Sequence, residues 1–90
     1  MHEEFIKKAV KAAELKRRHD EVEKAYKDIK KIQEKGNKLV IISYDRNGKY
    51  ICKFTAKKWI LEDILELVEE EINLERYKVS TEIELFQEGV

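Results

Sequence analysis

The run Leu39-Val40-Ile41-Ile42-Ser43-Tyr44-Asp45-Arg46-Asn47-Gly48-Lys49-Tyr50-Ile51-Cys52-Lys53-Phe54 decides the fold. β-Branched and aromatic residues fill both ends. The Asn47-Gly48 pair between them is a strong short-range hairpin signal, because a tight turn needs residues that tolerate positive φ. With a two-residue turn there, Tyr50 faces Asp45, Ile51 faces Tyr44, Cys52 faces Ser43, Lys53 faces Ile42 and Phe54 faces Ile41. Side chains alternate along a strand, so one face carries Leu39, Ile41, Tyr50, Cys52 and Phe54, and the other Val40, Ile42, Tyr44 and Ile51. The first strand is apolar on both faces, the pattern of a central strand.

Upstream of the hairpin, residues 3–35 contain no glycine or proline, and Phe5, Ala12, Leu15, His19, Val22, Tyr26 and Ile29 recur at a 3-4 spacing. This predicts a long amphipathic helix with a heptad-like seam, its start acidic at Glu3 and Glu4 and its end closed by Gly36-Asn37 as a left-handed cap. A helix of this length spans roughly 50 Å, whereas a seven-residue strand spans about 23 Å. One end must overhang the sheet. Either the overhang pairs with another copy as a short coiled coil, or the helix breaks at Arg18-His19-Asp20, where Asp20 and Glu23 form a second capping box.

Downstream, Thr55 is a plausible N-cap for a second helix over 56–73, with Ile60, Leu61, Ile64, Leu67, Val68 and Ile72 on one stripe. Residues 76–86 then alternate, with Tyr77, Val79, Thr81, Ile83 and Leu85 on one side and Lys78, Ser80, Glu82 and Glu84 on the other, which predicts a third strand. A right-handed crossover places that strand beside the first. The expected fold is a single α+β domain over 1–90, α-β-β-α-β: a three-stranded antiparallel sheet of order 2-1-3, formed by a hairpin at 38–55 and the strand at 76–86. It packs with two helices, the N-terminal one long and overhanging.

Composition narrows the function classes. Nineteen basic and nineteen acidic residues cancel, which removes the bulk-charge argument for nucleic acid. The opening Met1-His2-Glu3-Glu4-Phe5 has acid where a signal peptide has base, no apolar run is long enough to span a bilayer, and one cysteine builds no internal disulfide. A cytoplasmic setting without membrane attachment is expected. Cys52 reads as a buried, inert thiol on the core face. His19 and Glu23 share a helix face, but two ligands do not make a metal site. No phosphate loop or nucleophile motif occurs, so no catalytic residue, cofactor or metal is assigned and the chain is not expected to be an enzyme.

Charge is nevertheless segregated. Lys7, Lys8, Lys11, Lys16, Arg17 and Arg18 form a basic patch on the first helix, net +5 with Glu14, whereas 62–88 carry net −8. Lys57 and Lys58 stand at the start of the second helix, against its dipole, as anion candidates. If both helices cover the Ile41–Phe54 face, then Val40, Ile42, Tyr44 and Ile51 form an exposed apolar patch beside Phe86 and mark an interface. The competing arrangement puts one helix on each face. The expected function is non-catalytic protein binding, with self-association as a homodimer. The alternative is a nucleic-acid-binding module using the basic N-terminal helix. In size, lysine bias and lack of catalytic apparatus the chain resembles the small inhibitors that phages and mobile elements encode against host or defence enzymes, including anti-CRISPR proteins.

Overall fold

The computed structural model describes residues 2–89. Four elements follow in chain order: α1 His2–Lys35, β1 Leu39–Tyr44, β2 Tyr50–Ala56 and α2 Lys58–Glu88. The class is α+β, but the sheet has two strands, β1 and β2, and the expected 2-1-3 order is corrected.

α1 runs unbroken through Arg18-His19-Asp20, so the capping box at Asp20 is not used. The helix ends as the Gly36 N–H donates to the Ile32 carbonyl at 2.8 Å. Gly36 does not adopt positive φ, which corrects the left-handed cap. It is required there for close approach instead, since a Cβ would come within 2.7 Å of the Ile32 oxygen.

The hairpin keeps the expected pairs Ile41–Phe54, Ile42–Lys53 and Ser43–Cys52 and extends them to Leu39↔Ala56, then shifts by one residue, so that Tyr44 pairs with Tyr50 and the expected Tyr44–Ile51 and Asp45–Tyr50 pairs do not form. The turn is the cause. Asp45 and Lys49 close a three-residue loop: the Asp45 N–H donates to the Lys49 carbonyl, and the Asp45 carboxylate accepts from the Asn47 and Lys49 N–H groups at 2.8 and 2.9 Å. Among the described residues, only Gly48 takes positive φ, at 83°. Asn47 does not, so the two-residue turn is replaced by a three-residue loop, Arg46-Asn47-Gly48. Ile51 becomes the extra residue, and Tyr50 moves opposite Tyr44, their rings edge to face at 6.5 Å.

β2 runs on to Ala56, so Thr55 is not a helix cap. Lys57 occupies that position without a side-chain cap, its carbonyl accepting from the Ile60 and Leu61 N–H groups. α2 does not stop at residue 73, and the expected strand at 76–86 is its last third. No glycine or proline interrupts 58–88. The residues that alternate also fit a helical stripe: Leu61, Leu65, Ile72, Val79, Ile83 and Phe86 lie three, four or seven apart and are buried or half-buried. Tyr77 and Leu85, which a strand would turn inward, are left exposed.

α1 and α2 form an antiparallel pair. Leu15, Val22 and Ile29, one heptad apart, are buried on α1, and Leu61, Leu65 and Val79 on α2. The α1 overhang is thereby resolved within one chain, since α2 extends for 31 residues beside the 34 of α1. Only the base of the hairpin joins this core: Ala56 is fully buried and Leu39 packs against Ile29, Leu61 and Leu65. The long axis of 56 Å barely exceeds the roughly 51 Å of α1 alone. The hairpin therefore projects sideways from one end of the pair, which accounts for the second dimension of 32 Å.

This shape is open. A compact monomer of this mass exposes about 5,500 Å², whereas this chain exposes 7839 Å². Its radius of gyration is 17.7 Å, against about 12 Å for a globular chain of equal length. Relative to the unfolded chain it buries only about half of its surface, less than even a much smaller domain.

Candidate interaction site

The hairpin carries a dense cluster of exposed apolar side chains. Val40, Ile41, Ile42, Tyr44, Tyr50, Ile51 and Phe54 each leave 42–62% of their area exposed. Neither expected arrangement of helices holds, because helices cover neither face beyond the Leu39–Ala56 base. Ile41 and Phe54, expected in the core, belong to the exposed surface, and so does Cys52, whose thiol is exposed rather than buried. Trp59, one residue into α2, adds a 79% exposed indole at the hairpin's foot. Ile41, Phe54 and Cys52 escaped the sequence reading because each was placed under a helix that the structure commits elsewhere. The one signal for them was the lack of any polar face on β1.

Phe86 does not join this patch. It lies near the opposite end of α2, where with Ala12, Leu15, Lys16, His19, Ile83 and Gln87 it lines an open, mostly apolar cleft of about 280 Å³. The patch at Val40, Ile42, Tyr44 and Ile51 thus stands without it.

The basic patch is divided. Arg18 reaches across to Glu75 and Glu82 on α2, and both hydrogen bonds hold its guanidinium above the usual pKa. Arg17 pairs with Glu21 on its own helix at 2.8 Å. Lys7, Lys8 and Lys11 lie along a shallow groove beside Leu85, Phe86 and Gly89. Lys16 borders the Phe86 cleft.

Further along, Lys30 and Gln33 both donate to Glu69, and Gln33 is the larger cause of its lowered pKa, followed by Lys30. Arg76 pairs with Glu23 at 2.9 Å and lies 3.9 Å from the Tyr26 ring centre. Part of the sequence's charge separation, Arg18 with Glu75 and Glu82 and Lys30 with Glu69, is therefore an internal seam between α1 and α2. Because α2 continues to Glu88, Glu69, Glu70 and Glu71 are mid-helix and do not oppose its C-terminal dipole. Lys57 and Lys58 do stand at its N-terminus, where the first turn has no acid.

The hairpin itself is basic. Lys38, Arg46, Lys49, Lys53, Lys57 and Lys58 outnumber the single acid Asp45 across residues 38–58. Among the described residues, no helix is long and apolar enough to cross a membrane. No protein-family model, curated protein or solved structure matches the chain.

Proposed function

We propose that this chain is a non-catalytic binding module in which the paired helices form a stalk and the β-hairpin is the contact element for a protein partner. The observation that carries this reading is the exposure of seven large apolar side chains on both faces of one short hairpin. Soluble monomers seldom leave such clusters uncovered, and covered clusters of this kind are the centres of interfaces. A contact element held sideways on a stalk suits an inhibitor that occupies a surface on a larger protein, the class that the chain's size and lysine bias resemble.

The test compares wild type with Ile42→Glu and Tyr44→Glu in co-purification and cross-linking. Both side chains are about half exposed, so the variants keep their helices, checked by far-UV circular dichroism. Loss of every retained protein, this chain's own copies included, supports the reading. Unchanged retention by both variants refutes it, and so does loss that follows only from removal of Arg17 and Arg18.

A second reading has its own observation. Arg46, Lys49 and Lys53 are interleaved on the hairpin with Tyr44, Tyr50 and Phe54, the mixture of cations and stacking rings used by single-strand binders. The basic first helix is a weaker nucleic-acid surface than its sequence suggests, since Arg17 and Arg18 are engaged by glutamates. A gel shift with single-stranded oligonucleotides separates the cases: steep salt dependence supports this second reading, and no shift at low salt ends it.

A further inference from the structure

Away from the hairpin, we propose that the cleft around Phe86 is a binding site for a small amphiphilic anion, a free single-chain carboxylate whose tail lies on Phe86 and whose head meets Lys16. The site stands at the other end of the rod from the strands and does not depend on what they contact.

The cleft has a cause in the sequence. Ala12, His19, Tyr26 and Gln33 recur every seven residues, so they hold one equivalent position along the α1 seam. Two of the four meet a group on α2: the Arg76 guanidinium lies 3.9 Å from the Tyr26 ring centre, and Gln33 donates to Glu69. The other two leave the seam short. Ala12 has a single side-chain carbon, and the His19 imidazole lies 3.5 Å from the carboxylate of Asp20 on its own helix. Leu15 between them is buried, but the space beside it is unfilled. Half-buried Ile83 and Phe86 close the α2 side of the resulting cleft of about 280 Å³.

Size selects the tail. The volume is just below the roughly 300–1,000 Å³ of ordinary ligand pockets, which suits one short chain and not a two-chain lipid. Leu15, Ile83, Phe86 and the Ala12 methyl supply apolar walls for it.

Charge selects the head. The polar lining is Lys16, His19 and Gln87, with no carboxylate among them. Arg17 is held by Glu21, and Arg18 by Glu75 and Glu82, whereas among the described residues Lys16 enters no ion pair. Phe86 also borders a second hollow of about 290 Å³, whose charged walls are Lys7, Lys8 and Lys11. Glu84 and Glu88 lie on the same stretch of α2 but line neither hollow. Burial of a tail supplies affinity, and the free lysine chooses the sign of the head.

The experiment titrates the full chain with octanoate, octanol and octyltrimethylammonium, followed by two-dimensional NMR. Octanoate is expected to give saturable shifts at Ala12, Lys16, Ile83 and Phe86. It should bind about ten-fold more tightly than octyltrimethylammonium, and Lys16→Gln should remove about five-fold of that preference, the size of one exposed charge pair, with octanol binding unchanged. Ala12→Phe and Ala12→Leu fill the cleft with carbon, so both should lose octanoate binding while far-UV circular dichroism shows their helices intact. Equal affinity for the two ions overturns the assignment of an anionic head and with it the proposal. Octanoate binding that survives both Ala12 variants, or shifts confined to the hairpin, overturns the site. Co-sedimentation with phosphatidylglycerol vesicles in the absence of any octanoate shift overturns the free ligand in favour of a membrane surface.

Discussion

Replacing Leu65 by alanine tests the helix pairing on which the stalk depends. Leu65 is 4% exposed and packs with Ile29 and Leu61. Removing three carbons forfeits roughly 2.4 kcal/mol at about 0.8 kcal/mol per buried methylene. The cavity adds to this, but half-buried Ile32 and Ile72 border the site and can lean inward. The total falls near 3 kcal/mol, toward the lower part of the range of about 2–5 kcal/mol for buried leucines. A chain of this length has roughly 5–13 kcal/mol in all, and this one buries unusually little. The variant should melt about 15 °C lower. Urea unfolding followed by the helical circular dichroism signal measures it directly. Leu67, two positions on and 64% exposed, is the control; its alanine variant should stay within about 0.5 kcal/mol of wild type. Equal costs at the two positions, or none at Leu65, would refute the antiparallel register.

Gly48→Ala meets no steric obstacle, since nothing lies within 4 Å of the added carbon, but it must hold φ near 83°. The cost should be about 1 kcal/mol, confined to the hairpin, with loss of Tyr44–Tyr50 cross-strand contacts by NMR and unchanged helicity. Arg76→Ala removes the stack on Tyr26 and the pair with Glu23, and should lower stability by about 1 kcal/mol. Lys at this position should recover only part, because it cannot make the planar stack. Glu69 is held below its ordinary pKa by Gln33 first and Lys30 second. Its stabilisation is therefore present above about pH 4.3 and is lost as the pH falls through the lower folded-state value. Urea melts at descending pH should show this decline, and Glu69→Gln should flatten it; parallel pH profiles would count against the assignment.

The hairpin was legible because its signals are local: β-branched runs, and a turn rich in Asp, Asn and Gly. Three of the five expected pairs, Ile41–Phe54, Ile42–Lys53 and Ser43–Cys52, hold. The two nearest the turn did not, since a lone Asn-Gly pair does not distinguish a two-residue turn from a loop in which Asp45 ties down Asn47 and Lys49. α1 was legible over its whole length for want of any breaker. The misreading at 76–86 arose because Val79 and Ile83 are inward under both periods, strand and helix. What decides between them is distant in sequence: the α1 seam from Leu15 to Ile29 needs an equally long partner, and only a continued α2 supplies one. Once that partner is spent on α1, Ile41, Phe54 and Cys52 lose their cover. The candidate site was thus legible in Val40, Ile42, Tyr44 and Ile51, and its other members followed from packing that no local pattern records.

Because α1 starts, and α2 finishes, at the end of the rod remote from the strands, a label at Glu3 or Glu88 lies some 45–50 Å from the hairpin at about 1.5 Å per helical residue. Fluorophores at those two positions would report on the helical pair while leaving every strand residue unaltered.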